Sequence, residues 1–356
     1  MTVKANKSVQ SIWGKVRYSV AELPRHTFAT VAGIFVFAAI GTVLLVSSHA
    51  ATPTTNFEAE AGTRSGNTTV ITDSGASGAS GVKFNAAVSG TRTCPAYPAM
   101  PDSSCTGVPA GTTLTTVNGD MATSSSGQVI NAKLITGDLI IGDSNITVTN
   151  TRIMGRIVNN ASNGLVVRDS DIGADSCPAN ASNYNNLNGT NYQLIRSHVH
   201  NSGADLIGIG GQGTILIQDS IIDQACYYPG DHLDVAQWYA PGALGHVTIA
   251  HTIMDAEPGN VATSEHGNAA IIWADGAASG STLTAYNNRF KGGNYTLMLY
   301  DATAGSGVVF DVHDNTFIKN TYTYGACNKA NSIMFDGTSG LKFTNNKFDD
   351  GTALSC

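Results

Sequence analysis

Basic residues are scarce in this chain, and those present are concentrated at one end. Lys and Arg number 19 against 26 Asp and Glu, for a net charge of −7 over 356 residues. Lys4, Lys7, Lys15, Arg17 and Arg25 face the single acid Glu22 within residues 1–26, so that segment carries +4 and the rest −11. A remainder so acidic has no basic groove for nucleic acid. No two of the six cysteines have the CxxC spacing of a zinc or redox site. Charge is missing altogether from residues 27–46. An uncharged apolar run of twenty residues is long enough to cross roughly 30 Å of hydrocarbon as a helix.

Because no polar face interrupts this run, it is not an amphipathic core helix. The basic segment 1–26 should stay on the cytoplasmic side. Residues 27–47 are then a transmembrane anchor or, with Ser48 and Ala50 as small cleavage-site residues, a signal peptide. Both remain open. Cys94, Cys105, Cys177, Cys226, Cys327 and Cys356 all lie beyond it, and an even count in an exported region predicts structural disulfides. The expected location is extracytoplasmic, either anchored at the cell surface or secreted.

Beyond residue 50 the informative feature is a repeat. The segments 145–153, 164–172, 192–199, 215–222, 247–254, 283–290, 310–317 and 341–348 share one template when aligned on their last residue. That residue is Ile153, Ile172, Val199, Ile222, Met254, Phe290, Phe317 or Phe348, always apolar. Five and seven positions earlier are further apolar residues, and two earlier a small polar one: Thr151, Ser170, Ser197, Ser220, Thr252, Asn288, Asn315 or Asn346. An apolar pair two residues apart is one face of a short strand, and a Ser/Asx stretch after it is a turn. Successive anchors are 19, 27, 23, 32, 36, 27 and 31 residues apart. A coil of about twenty residues with insertions on one side has such variable spacing. The fold class read from this is all-β, a right-handed parallel β-helix (solenoid) preceded by the membrane helix or signal segment.

A second apolar run between anchors, at 205–210, 232–239, 269–275, 296–302 and 332–337, reads as the next sheet of each coil. Residues 127–141 fit the template only partly and read as capping coils. The expected organisation is a basic segment 1–26, the apolar segment 27–47, a linker 51–90, a cysteine-containing lead-in and cap 91–128, and the β-helix 129–356. Among the cysteines, Cys94 and Cys105 should close a small loop. Cys327 and Cys356 follow adjacent anchors and sit within disulfide reach, while Cys177 and Cys226 need the 174–190 insertion to meet.

The stretch 98–115, the coil template and Gly230-Asp231-His232-Leu233-Asp234-Val235-Ala236-Gln237 together resemble exported β-helix proteins of the pectin-lyase-like superfamily. The resemblance covers roughly residues 94–356, and it implies the right-handed helix; the superfamily includes polysaccharide lyases, glycoside hydrolases, phage tailspikes and adhesins, so it does not fix the activity. Those relatives carry His-x-Asp-Gly-Ile-Gln; His232, Asp234 and Gln237 match, whereas Val235-Ala236 replaces Gly-Ile. Residues 57–84 resemble the opening of β-sandwich carbohydrate-binding modules. Such modules need over about a hundred residues, so this piece reads as a remnant within the linker.

The longest insertions follow Ile222 and Met254, and solenoid insertions gather on the functional face. Asp205, His232, Asp234 and His266 are the candidate catalytic residues, as acid/base groups on adjacent coils. Gln237, Trp238, Tyr239 and Trp273 are candidate substrate-binding residues, the rings stacking on sugars. Asp231, Asp234 and Glu265 are candidate Ca²⁺ ligands. Strand parity predicts His232 and Asp234 outward with Leu233 and Val235 inward. The expected function is interaction with a polysaccharide or surface glycan by a monomer, as a polysaccharide lyase or glycoside hydrolase. The alternative is a non-catalytic glycan-binding adhesin or structural surface rod.

Overall fold

The computed structural model describes residues 68–72, 80–84 and 92–356, apart from 161–162, 182–183, 262–266, 275, 330–332 and 334. The apolar run 27–47 lies outside them, and no helix among them is long and apolar enough to cross a membrane. The chain divides into two units, Met1–Val88 and Ser89–Cys356. In the first, Thr68–Thr72 and Ser80–Phe84 form an antiparallel hairpin.

The second unit is a parallel β-helix of three sheets. Sheet 1 runs from Met121–Ala122 to Gly325–Lys329 with nine strands, sheet 2 from Val129–Asn131 to Gly340–Thr344 with nine, and sheet 3 from Thr115–Val117 to Lys347–Phe348 with ten. Every strand pairs with its equivalents one coil away. The eight anchors stack in register in sheet 3, from Ile153↔Ile172 to Phe317↔Phe348, and Ile135 extends the column backward. The positions five residues earlier stack likewise in sheet 2, from Val148↔Val167 to Val312↔Phe343. Their side chains form one continuous core column.

Strand pairing begins earlier than the template shows. Thr115–Val117 and Met121–Ala122 already belong to sheets 3 and 1, so the cap is itself a coil. In the last coil the sheet 1 strand is Gly325–Lys329, paired Leu297↔Cys327, in place of the expected run 332–337.

The corner from sheet 2 to sheet 3 is two residues long in all eight template coils. Its first residue has positive φ each time: Asn150, Asp169, Arg196, Asp219, His251, Asn287, Asp314 and Asn345. Its second is the small polar residue of the template, which is fully buried from Thr151 to Asn315. The backbone N–H of each donates to the side-chain oxygen of the next, as from Ser170 to Ser197 at 3.3 Å and from Thr252 to Asn288 at 2.9 Å. Burial is tolerated because each buried polar group has a partner.

All three disulfides form as expected: Cys94–Cys105, Cys177–Cys226 and Cys327–Cys356, with Cα separations of 5.0, 5.6 and 5.6 Å. The lead-in lies against the outer face of sheet 3, where Gly107 N–H donates to Arg196 O at 3.0 Å and His251 Nε2 meets Ala99 O at 2.8 Å.

Candidate functional site

Sheet 1 is flanked on both sides by corners of variable length, and the polar residues singled out in the sequence gather where the chain enters and leaves it. Ile207 pairs with Ala236, which aligns Asp205 with Asp234 two residues earlier. Asp234 N–H donates to Asp205 Oδ1 at 2.8 Å, and the Tyr239 phenol donates to Asp205 Oδ2. Asn268 Nδ2 donates to both oxygens of Asp234, at 3.1 and 3.3 Å.

Asp234 does not project to solvent: it is only 1% exposed. The parity expectation fails because the segment 233–238 offers apolar residues on both faces. Trp238 and Ala236 take the inner column with Ile207, Ile271 and Leu297, and Asp234 has the same parity as they do. Leu233 and Val235 are buried as well. Asp234 pairs with Ala269, next to Asn268 on the following coil. His232 is exposed as expected, whereas Glu265 and His266 lie outside the described residues.

Trp238 and Trp273 are not sugar platforms. Both are fully buried and stack on each other in the core, centroids 4.1 Å apart at 6°, with Trp273 edge-on to Phe310. A ring so placed cannot reach a glycan. Gln237, opposite Gly208 in register, remains at the surface, half-buried.

Two openings share Tyr239 and Asn185. One, of about 220 Å³, is lined by Asp205, Asp231, His232 and Leu233. The other, of about 300 Å³, has Tyr184 at its edge and Gly189, Gly208 and Gly210 as its floor. Tyr184 is 58% exposed and Tyr239 46%. The glycines are required there: a Cβ at Gly210 would stand 2.7 Å from Tyr239 N, and one at Gly189 2.8 Å from Asn159 O. Arg156 lies over the Tyr184 ring, 3.9 Å from its centroid. Tyr184, Asn185 and the glycine floor were not singled out in the sequence; they fall in insertions or between anchors, where the template is silent.

The electrostatics centre on the carboxyl pair. Burial, then the charge of Asp205, raises the Asp234 pKa well above the usual carboxylate value. Burial also raises Asp205, against the opposing hydrogen bond from Tyr239. Asp231 Oδ2 is shielded from solvent and has no hydrogen-bond partner among the described residues. Asp231 and Asp234 do not assemble a Ca²⁺ site with any third described residue. Asp234 is engaged by Asn268, and a carboxyl biased toward its neutral form is a poor ligand for a hard cation.

A second polar cluster, missed in the sequence, lies on the outer face of sheet 3. Arg152, Asp171 and His198 stack in register, and His200 lies two residues beyond His198. Asp171 Oδ1 meets His200 Nε2 at 2.8 Å, Asp171 Oδ2 lies 3.6 Å from His198 Nδ1, and Asp223 Oδ1 meets His198 Nε2 at 2.8 Å. Burial lowers the His198 pKa, but the hydrogen bonds its ring donates to Asp171 and Asp223 outweigh it and bring it to about 9. The template carried this signal, since residues flanking an inward anchor, here Ile172 and Val199, point outward.

No protein-family model, no curated protein and no solved structure matches this chain.

Proposed function

We propose that this protein works outside the cytoplasm as a right-handed β-helix of pectin-lyase-like type that grips a polysaccharide across sheet 1 and acts on it through Asp205. The observation that carries the reading is the trough itself. Two exposed tyrosines, Tyr184 and Tyr239, flank a floor stripped of side chains by Gly189, Gly208 and Gly210, and the trough opens beside the Asp205 carboxyl. Aromatic faces next to polar groups suit pyranose rings, whose C–H faces are apolar and whose rims carry hydroxyls.

In this reading Asp205 is the general acid/base group, since it lines the opening, and exposed His232 is the second. Asp234, behind it, is a positioning residue: its N–H holds Asp205 Oδ1. Three disulfides beyond the apolar N-terminal run support an oxidising compartment. The alternative, a non-catalytic glycan-binding rod, draws support from the same contacts, because Tyr239 and the Asp234 N–H already engage both Asp205 oxygens.

The deciding experiment incubates the full-length protein and its Asp205→Asn variant with uronic-acid and neutral polysaccharides. New reducing ends or unsaturated products that disappear in the variant support catalysis. Binding without products, unchanged in the variant, supports the rod, and no binding to any polysaccharide removes the proposal.

A further inference from the structure

We propose that Asp171, His198 and His200 form a binding site for a zinc-class divalent transition-metal ion on the outer face of sheet 3, beneath the lead-in segment. The site is separate from the trough on sheet 1 and does not depend on the glycan reading.

The argument starts from donor geometry. One oxygen or nitrogen from each of the three residues lies within 4.8 Å of the others, and theirs is the group of three described residues so arranged. In a tetrahedral site with bonds of about 2.0–2.1 Å, neighbouring donor atoms stand about 3.3 Å apart. The two oxygens of Asp171 share the contacts, Oδ1 at 2.8 Å from His200 Nε2 and Oδ2 at 3.6 Å from His198 Nδ1, and these distances bracket that value. Small side-chain adjustments would complete the set.

Orientation is supplied as well. His198 directs Nδ1 toward Asp171 and uses its other nitrogen, Nε2, to bond Asp223. A carboxylate on the far nitrogen is the usual device for fixing a histidine ligand's ring and strengthening it as a donor. His200 turns Nε2 to Asp171, and its Nδ1 is buried without a partner among the described residues, so the supporting carboxylate is found on the His198 side only. The strands themselves are rigid, because the anchors Ile172 and Val199, which neighbour all three donors, are locked in the core.

The cluster already accommodates a cation. Arg152 Nη1 contacts Asp171 and stands 3.5 Å from His200 Nε2, while its Nη2 reaches the exposed Asp175 at 2.9 Å. A divalent ion would take the Nη1 position, with Arg152 turning onto Asp175. Two imidazoles and one carboxylate favour zinc-class ions over Ca²⁺ or Mg²⁺, which prefer all-oxygen shells. A cleft of about 440 Å³ between the lead-in and sheet 3 is lined by Asp171 and His198, leaving room for a water or ligand oxygen as fourth donor. The bland alternative is an ion-pair network in which Arg152 is the permanent cation.

The test uses the full chain, untagged, disulfide-formed and stripped with a chelator. Zn²⁺ is titrated in competition with a chromophoric chelator, and Co²⁺ is read by its visible absorption. The expected results are one ion per chain and the intense bands of four-coordinate Co²⁺. His198→Gln and His200→Gln should each weaken binding by more than about 100-fold, beyond the roughly 10–100-fold of a supporting residue such as Asp223→Asn. Arg152→Gln should tighten it. If a histidine variant fails to fold, imidazole nitrogen shifts in the unmodified protein decide instead: two rings must respond to Zn²⁺. Absence of stoichiometric binding, affinity unchanged in the folded histidine variants, or imidazole shifts that do not move would each overturn the proposal in favour of the Arg152 network.

Discussion

Asn288 and Asn315 occupy the same place on neighbouring coils, and Asn315 Oδ1 accepts both the backbone N–H of Asn288, at 2.9 Å, and its Nδ2, at 3.0 Å. Asn315 in turn donates from Nδ2 to Ala285 O and Asn346 Oδ1, both at 2.9 Å. Replacing it with leucine of similar size would strand several buried donors and acceptors at once, each worth about 1–3 kcal/mol. Asn315→Leu is expected to lower stability by about 3–5 kcal/mol in urea unfolding. A loss below about 1 kcal/mol would mean that the ladder contributes little.

The carboxyl pair predicts a pH dependence of definite sign. Burial and the charge of Asp205 raise the Asp234 pKa above the ordinary 3.8. Such a group contributes fully below its unfolded pKa and loses that contribution as pH rises through the folded one. Asp234→Asn keeps the shape and removes the titration. Melting midpoints of the two proteins should therefore be nearest at about pH 4 and separate in favour of the variant toward about pH 8. A wild type that gains on the variant with rising pH would contradict the assignment.

The trough predicts a division of labour among aromatic residues. Tyr184→Ala and Tyr239→Ala should each weaken glycan binding by about 5–10-fold, equivalent to about 1–1.4 kcal/mol. Trp238→Phe should lower the melting temperature and leave affinity unchanged, since that ring packs only inside. Calorimetric titration beside thermal melts separates the two, and an affinity loss confined to Trp238→Phe would invert the picture.

Cys177–Cys226 closes the longest of the three disulfide loops, with a sequence separation of 49. Chain entropy assigns such a loop about 4 kcal/mol. Replacing both cysteines with serine should lower stability by that order and speed proteolysis within the insertion before Tyr184, where Tyr228 otherwise bonds Pro178 O. Unchanged cleavage rates under native conditions would show that the insertion is held by other contacts.

The anchors were legible because one apolar position per coil must face a shared core, and nothing in the chain competes with it. The sheet 1 site was legible only as a neighbourhood. Between Leu233 and Trp238 either parity buries apolar side chains, so the choice fell to Trp238, whose large ring stacks on Trp273 one coil away. That contact is long-range and invisible in a local alternation. Tyr184 lies in an insertion, where spacing says nothing about what it faces. The histidine cluster carries a local signal, because His198 and His200 flank the inward anchor Val199 and so share the outer face. At the two-residue corner, Asn, Asp and His are natural at positive φ, whereas Arg196 gives no local hint; Arg196 and His251 are both held by partners, Asp169 at 2.8 Å and Asp219 at 2.6 Å.

The constancy of that corner has an evolutionary consequence. One edge of the helix behaves as a rail of fixed gauge, and every change in coil length is displaced to the two edges bordering sheet 1. Segments can be spliced in or excised there without shifting the register of sheets 2 and 3. The surface along those edges can thus change by exchanging fittings, while the rail keeps the coils aligned.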